Sequence, residues 1–273
     1  MPRLSFYYKI IILAVLNVSI YVLIFKNCLY HQKSSEYSKE HYEKLQKNLI
    51  DSKLVSLPVE EPPRVSKDAK FVFIDLGANK GDSIRNFFGQ NEKALGGQLS
   101  NLIKLKEVLN KKWIIYAIEA NPFFDQVLYE MKTNLESNYG HTVFLFNQTA
   151  AWKSDGLIDF YVDEVNIDQS FWGSSLFNNH PDVIKSGKKK VKIRSVDVAR
   201  IIKQYQKQDL IVLKMDIEGA EYHLLLDFLK KDILPFIDYM TVEYHPGLSV
   251  LSQAEDVFEA LIKLFGIKSI LWN

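Results

Sequence analysis

The sequence predicts an α/β fold in which helices cover both faces of a parallel β-sheet. Short apolar runs alternate along most of the chain with stretches that have helical periodicity. Strands that are buried on both faces of a parallel sheet have this continuous apolar character. Several runs also end at an acidic or amide residue, and parallel sheets bind their ligands at the carboxyl ends of their strands.

Six strands are predicted for the main sheet, with helices between them. The strands cover residues 70–76, 113–118, 143–146, 210–214, 237–242 and 268–272. The helices cover residues 83–88, 125–134, 220–229 and 254–265. We interpret residues 90–112 as an insertion that lengthens the connection between the first two strands.

The region between the third and fourth of these strands has a different pattern. Residues 157–162 and 189–196 alternate between apolar and polar side chains, which predicts antiparallel strands or a hairpin at the sheet edge. The loop around Trp172 is expected to close over a site. A basic cluster in this region contains Lys185, Lys188, Lys189, Lys190, Lys192 and Arg194. We interpret the cluster as a solvated turn, with binding of an anionic acceptor or a lipid headgroup as the alternative.

The N-terminal segment has the composition of a membrane anchor. Residues 10–25 contain no charged side chain, and extension back to Leu4 gives the roughly 20 residues that a spanning helix needs. No small-residue cleavage pattern follows, so a removed signal peptide is disfavoured. The sequence predicts a signal anchor at residues 10–25 after a short cytoplasmic tail at residues 1–9. The basic residues before the anchor favour a type II, single-pass orientation in the Golgi or the endoplasmic reticulum.

Residues 26–68 are predicted to form a stalk, and residues 69–273 the globular domain. The stalk contains eight basic and seven acidic residues. Tyr42, Leu45 and Leu49 lie at helical spacing within it, which indicates either a solvated helix or a weak self-association surface.

Charge and cysteine content exclude two classes of protein. The net charge of the chain is +1, and the part from residue 69 onward has 24 basic and 26 acidic residues. It therefore lacks the basic excess that nucleic-acid binding needs, and no nucleic-acid partner is expected. The single cysteine, Cys28, cannot form an intramolecular disulfide or a multi-cysteine zinc site.

The loop after the first strand indicates a cofactor site. Gly77 and Gly81 allow the backbone to approach a ligand closely, and Asn79 tolerates a positive φ. The arrangement of strand, glycine loop and helix is typical of nucleotide sites, but Asp75 and Asp82 would repel a diphosphate. Acidic residues suit a cationic cofactor without phosphate, and S-adenosylmethionine fits that description. Glu119, at the end of the second strand, is expected to accept hydrogen bonds from its ribose.

Four segments resemble the successive motifs of the FkbM family of class I, S-adenosylmethionine-dependent methyltransferases. They are residues 73–81 (FIDLGANKG), 117–122 (AIEANP), 214–221 (KMDIEGAE) and 242–246 (VEYHP). The resemblance implies a Rossmann-like fold, O-methylation of acceptors such as sugars or polyketide-type hydroxyls, and no obligatory metal. By position, the cofactor would contact Asp75, Gly77, Asn79, Gly81 and Glu119, with Asn147 near the adenine. Such folds usually end in an antiparallel hairpin, of which the sequence contains one candidate strand.

Methyl transfer to a hydroxyl requires a group that removes its proton near the transition state. The candidates are His245, Glu243, Asp216 and Glu218. His245 has an ordinary pKa near neutrality, and its alternatives are to position the acceptor or to play a structural part. Asp216 and Glu218 are expected to line the site, although with Glu221 they could instead complement the dipole of the next helix. Trp172, Ser174 and Ser175 are candidates for contact with a sugar.

These observations predict a membrane-anchored O-methyltransferase of the secretory pathway that acts on a glycan or glycolipid hydroxyl. One alternative is a methyltransferase that faces the cytosol and acts on a small molecule or lipid. The other is a tethered binding protein that keeps the fold without activity. Asn147-Gln148-Thr149 is also a glycosylation sequon, which we expect to be buried and unmodified if the domain is lumenal.

Overall fold

The computed structural model describes residues 69–88, 111–166 and 171–271 of the chain. The predicted tail, anchor and stalk at residues 1–68 lie outside the described residues, as does nearly all of the predicted insertion. None of the helices in the described ranges is both long enough and apolar enough to span a bilayer.

Nine strands and six α-helices form the described part of the chain. The strands are β1 (Phe71–Leu76), β2 (Trp113–Ile118), β3 (Thr142–Phe146), β4 (Thr149–Trp152), β5 (Gly156–Tyr161), β6 (Lys190–Asp197), β7 (Leu210–Met215), β8 (Tyr239–Val242) and β9 (Lys268–Leu271). The helices are α1 (Asp82–Phe87), α2 (Asp125–Tyr139), α3 (Pro181–Lys185), α4 (Val198–Ile202), α5 (Glu221–Lys230) and α6 (Glu255–Leu264). Short 3-10 helices lie at Pro122–Phe124, Leu234–Phe236 and Val250–Ala254.

The main sheet has six strands in the order β3-β2-β1-β7-β8-β9, and every pair in it is parallel. The predicted α/β class is therefore confirmed. β1 and β7 lie side by side at the centre, with Asp75 opposite Lys214. The strand order reverses beside β1, so its carboxyl end and that of β7 flank the crevice where open α/β sheets bind ligands.

Apolar side chains cover both faces of this sheet because the strands alternate their residues between two cores. Val72, Ile74 and Leu76 belong to the core on one face, together with buried side chains of α4, α5 and α6. Phe73 belongs to the core on the other face, where its ring stacks on Phe87 of α1 with centroids 4.4 Å apart. Since both faces are buried, the strands needed to be apolar throughout, which is why their runs were visible in the sequence.

A second, three-stranded sheet has the order β4-β6-β5. β5 and β6 are antiparallel, as their alternating patterns predicted. The pair does not extend the edge of the main sheet, however, because its neighbour is β4, which lies parallel to β6. The sequence did not predict β4, a strand of only four residues with two alanines at its centre. Alanine has a low strand propensity, and the pairing with β6 holds this segment extended.

The positive charge of the basic cluster, which runs from Lys185 of α3 to Arg194 of β6, is largely compensated by nearby acids. Four of its lysines form ion pairs, which join Lys185 to Asp182, Lys189 to Glu164, and both Lys190 and Lys192 to Asp159. This pairing favours the solvated turn over a site for an anionic ligand.

The final described strand differs from the family expectation. β9 pairs with β8 in parallel, with Tyr239 opposite Lys268. Such folds usually end in an antiparallel hairpin, of which the sequence contained one candidate strand; that strand is β9, and it lies parallel to its neighbour.

Candidate active site

The carboxyl ends of the main strands enclose one side of a cavity of about 940 Å³. The loop after β1, the residues that follow β2, the start of β4 and the segments after β7 and β8 all contribute to its wall. The connection between β5 and β6 closes the other side through Phe171, Trp172, Ser174 and Leu176. Strand ends and one long connection thus create a single enclosed site.

Backbone geometry in the first loop explains its glycines. Gly77 has a φ of 78°, and a side chain there would overlap the carbonyl oxygen of Asp216, so only glycine lets the loops after β1 and β7 meet. Asn79 has a φ of 49°, which asparagine tolerates better than most residues. Gly77 and Asn79 both line the cavity. Gly81 does not line it, since its Cα faces Met131 and Leu128 of α2.

Asp75 is fully buried beneath the loop and is not part of the cavity wall. One of its carboxylate oxygens accepts a hydrogen bond from Ser83, and the other lies 3.3 Å from the ammonium group of Lys214. Lys214 also donates to the carbonyl oxygen of Gly77 at 2.7 Å. Asp75 was expected to contact the cofactor. It instead fixes the loop after β1, which would make that contact.

Lys214 was not predicted as a site residue, and it links the loop after β1 to the segment after β7. Besides Asp75, it lies 3.3 Å from Asp216, so two carboxylates share one ammonium group. Burial lowers the pKa of Lys214, but Asp216 and Asp75 outweigh burial and hold it above its usual value. Lys214 therefore stays charged although it is buried in this sheet. A lysine that ends an otherwise apolar strand run was the available signal in the sequence.

Glu119 is a buried carboxylate on the cavity wall. Its two oxygens accept the backbone N–H groups of Asn79 and Asn121, each at 2.7 Å. These bonds fix the carboxylate against the loop after β1. Burial nevertheless raises the pKa of Glu119 to about 7, because two hydrogen bonds compensate only part of the lost hydration.

Asn147 lies beside the cavity rather than in its wall. Its backbone carbonyl accepts the hydroxyl of Thr149 at 2.8 Å, and its side chain is half-buried. Thr149, Ala150 and Ala151 of β4 line the cavity in its place. The sequon thus has its threonine inside the site and its asparagine at the margin.

Three of the four predicted catalytic residues line the cavity along the segments that follow β7 and β8. They are Asp216, Glu218 and Glu243. Burial raises the pKa of Glu243 to about 7, and the nearby Asp216 carboxylate adds to the effect. Burial also raises the pKa of Glu218, although His180 and His245 oppose it.

His245 is not part of the wall, and both of its ring nitrogens face carboxylates. Nδ1 lies 3.0 Å from Glu221, and Nε2 lies 3.2 Å from Glu218. Burial alone would lower the pKa of His245, but Glu221 and Glu218 raise it to about 9. A histidine that is protonated at neutral pH and held by two acids cannot take a proton from a substrate. The geometry therefore favours a positioning part for His245 over that of the base.

Glu218 receives further support from the connection between β5 and β6. Its φ is 53°, and its carbonyl accepts a hydrogen bond from Ser175 at 2.6 Å. His180, which sequence reasoning missed, is buried with Nε2 3.2 Å from the Glu218 carboxylate. Because Nδ1 of His180 accepts the N–H of Asp182, Nε2 carries the hydrogen and donates it to Glu218.

A protein-family model for the methyltransferase FkbM domain matches residues 75–261, more than half of the chain. The chain belongs to the FkbM methyltransferase family. No curated protein and no solved structure matches the chain. The family predicted from the sequence motifs is confirmed, and with it a methyltransferase that uses a methyl donor.

The mouth of the cavity in this FkbM-family protein carries exposed aromatic rings. Trp172 is 58% exposed although it lines the cavity. Phe171 stacks on Phe123 with ring centroids 4.0 Å apart. Ser174 lies in the wall, and its hydroxyl donates to the carbonyl oxygen of Phe171 at 3.1 Å. The hydroxyl of Ser175 instead donates to the carbonyl oxygen of Glu218. These rings form an aromatic rim, defined here as Phe123, Phe171 and Trp172.

Proposed function

We propose that this FkbM-family protein transfers a methyl group from S-adenosylmethionine to a hydroxyl group. The observation that carries the proposal is a single cavity that is lined by the buried carboxylate Glu119 after β2 and by three more carboxylates after β7 and β8, which we call the acceptor wall. A donor site and an acceptor site that share one cavity allow both reactants to be held in register.

The residues on the cofactor side fit S-adenosylmethionine in charge and in hydrogen bonding. Of the described residues that line the cavity, five are acidic and two are basic. A cationic cofactor suits this excess, whereas a diphosphate would be repelled. The carboxylate of Glu119 would accept hydrogen bonds from the ribose, and the backbone of Gly77 and Asn79 would lie against the amino-acid part. When bound, the cofactor supplies an electrophilic methyl group on a positively charged sulfur.

Glu243 is the group that we assign to remove the acceptor proton. It lines the cavity, whereas His245 lies behind the wall with both ring nitrogens engaged. The acceptor oxygen would form its bond to the methyl carbon while its proton passes to a Glu243 oxygen. The electrons of the broken carbon–sulfur bond stay on sulfur. Asp216 and Glu218 would orient the acceptor hydroxyl.

We further propose that the acceptor is a glycan or a glycolipid of the secretory pathway. The aromatic rim supports this proposal, because an exposed tryptophan offers a flat apolar face to a sugar ring. The anchor predicted at residues 10–25 supports it independently, since it would hold the domain beside a membrane. Protein incubated with labelled methyl donor and with glycan, lipid or small-molecule extracts should label the first two in preference.

Calorimetric titration with S-adenosylmethionine tests the cofactor assignment. The wild-type protein should bind, and Glu119→Ala should weaken binding at least about tenfold, because hydrogen bonds to a charged group contribute about 1.5–3 kcal/mol. Glu130→Ala is the control, since this acid lies on the exposed side of α2 and pairs with Gln126. Absence of binding, or equal affinity in both variants, would contradict the proposal and favour a tethered binding protein.

A further inference from the structure

Three metal-ligating side chains lie close together in the segments that follow β7 and β8, where Asp216 and Glu218 line the cavity and His245 does not. Asp216 follows β7, Glu218 lies in the next turn, and His245 follows β8. Each offers one ligand atom, and these atoms all lie within 4.8 Å of one another. Segments from two neighbouring strands are needed to assemble the group, so its compactness is a property of the fold.

An outer partner orients each member of this group. Glu221 is fully buried and lies 3.0 Å from Nδ1 of His245, which directs Nε2 of the ring toward Glu218. His180 donates to Glu218, and Lys214 lies 3.3 Å from Asp216. Metal-binding histidines and carboxylates in proteins have outer-sphere partners of this kind, which fix the tautomer and the direction of the lone pair.

Negative charge on the acceptor wall exceeds the positive charge around it. Glu243 adds a third carboxylate, 3.9 Å from Nε2 of His245. The nearby cations are the protonated ring of His245 and Lys214, which is shared with the buried Asp75 on its other side. A wall of this kind attracts a further cation.

We propose that Asp216, Glu218 and His245 bind one divalent transition-metal ion, which the resemblance to the family does not by itself imply. One imidazole nitrogen with two carboxylates is a mixed nitrogen and oxygen donor set, which suits Mn²⁺, Fe²⁺ or Zn²⁺, whereas Mg²⁺ and Ca²⁺ prefer oxygen ligands alone. The lone pair of Nε2 would then hold the metal ion instead of a hydrogen. The use of the ion rests on the proposed function: coordination positions that face the cavity would hold the acceptor hydroxyl and favour loss of its proton.

Titration of the full-length protein with Mn²⁺, followed by electron paramagnetic resonance of the free ion, tests this site. We expect saturable binding of one ion per chain. Asp216→Asn and His245→Gln should each weaken it at least about tenfold, and so should Glu221→Gln, because outer partners of ligands typically contribute 10–100-fold. Asp159→Asn is the control, because this acid pairs with Lys190 and Lys192 on the second sheet and should leave the affinity unchanged.

A measurement on the wild-type protein avoids dependence on how the variants fold. Electron spin echo spectroscopy of bound Mn²⁺ should detect coupling to an imidazole nitrogen. Absence of saturable binding, absence of that coupling, or unchanged affinity in both ligand variants would overturn the metal site. Titration of S-adenosylmethionine in the presence of a chelator separates the two proposals. Cofactor binding without Mn²⁺ binding contradicts the metal site alone, and the reverse contradicts the cofactor assignment alone.

Discussion

Glu119 keeps a pKa of about 7 although each of its oxygens accepts a backbone N–H group. The reason is its burial, which removes more hydration than two hydrogen bonds replace. Its charge therefore changes within the neutral range. A carboxylate that must be ionised to accept two ribose hydroxyls makes cofactor affinity sensitive to pH.

Affinity for S-adenosylmethionine should fall as the pH is lowered below 7. Each pH unit below the pKa of Glu119 reduces the ionised fraction about tenfold, so the Kd should rise by up to that factor per unit. Calorimetry between pH 5.5 and 8 measures this slope, and Glu119→Gln should bind more weakly with a flatter profile. An identical slope in Glu119→Gln would assign the pH dependence to another group.

His223 shows the opposite effect of burial on a base. Its ring stacks on Phe177 and contacts the tilted ring of Trp152, with centroids 5.5 Å away in both cases. Nε2 lies 3.1 Å from the hydroxyl of Ser249. Burial lowers the pKa of His223 to about 4, and Lys153 adds to the effect. The folded state thus favours the neutral ring.

The free energy of unfolding should fall as the pH drops below 6.5, in part because of His223. A depressed histidine pKa contributes stability that is complete above the unfolded pKa of 6.5 and is lost as the pH falls toward 4. The loss from this ring should reach up to about 2 kcal/mol at pH 5. Urea unfolding at pH 7 and pH 5 measures it, and His223→Gln should lose less stability between these conditions than the wild type. Equal losses would show that His223 does not contribute.

At the scale of elements, the central strands β1, β2 and β7 were predictable because they are buried on both faces. β2 was predicted with its observed bounds, and β7 differs by one residue. β4 was missed, since nothing in a four-residue alanine-centred segment identifies a strand before its partner is known. α2 continues to Tyr139, five residues beyond the prediction, and ends where Gly140 adopts a φ of 63°.

Only the site residues that a local sequence pattern marks could be predicted. Glu119, Asp216 and Glu243 follow apolar runs, and all three line the cavity. Asp75 follows the same rule but faces Lys214, because the register of β1 and β7 places these two residues opposite each other. That register depends on contacts between segments that are more than 100 residues apart, which no local pattern records. The carboxylates that hold His245 come from the turn after β7 and from the start of α5, so no pattern close to His245 in the sequence indicates them.

A buried pair of hydroxyl groups joins β2 to the turn after α4. The oxygen atoms of Tyr116 and Tyr205 are 2.8 Å apart, and both side chains are buried. Burial raises the pKa of Tyr116 to about 12, which keeps its hydrogen in place. The pair thus remains a neutral hydrogen bond between two elements of one core.

Tyr205→Phe should lower the free energy of unfolding by about 1–3 kcal/mol, because it leaves the buried Tyr116 hydroxyl without this partner. The double variant Tyr116→Phe, Tyr205→Phe should lose less than the sum of the two single variants. Denaturant unfolding of the four proteins gives the coupling energy. Strict additivity would show that the two hydroxyls do not stabilise each other.

At the scale of the whole molecule, the sequence predicts an anchor, a stalk and a methyltransferase domain, and the described residues belong to the last of these. Helices on both faces bury the main sheet, so the domain has a core of its own on each side of it. The segment predicted at residues 10–25 would tether this domain to a membrane.

The full-length protein should sediment with membranes after carbonate extraction, and deletion of residues 1–25 should release it. In sealed microsomes, the domain should resist added protease if the orientation is type II, and detergent should abolish that protection. Digestion without detergent would overturn the lumenal assignment and support the cytosol-facing methyltransferase. Release of the full-length protein by carbonate would contradict the anchor itself.

The position of Lys214 has a consequence for how the two reactants bind. Its ammonium group contacts the Gly77 carbonyl, in the loop that we assign to the cofactor, and the Asp216 carboxylate, which we assign to the acceptor. Any ligand that draws Asp216 away from this ammonium also changes the attraction that holds the loop. Binding of the donor is therefore expected to alter the affinity of the protein for the acceptor. Thermodynamic reciprocity requires that the acceptor alter the affinity for the donor by the same factor. Donor and acceptor would bind as a cooperative pair, with one internal charge as the coupling element between them.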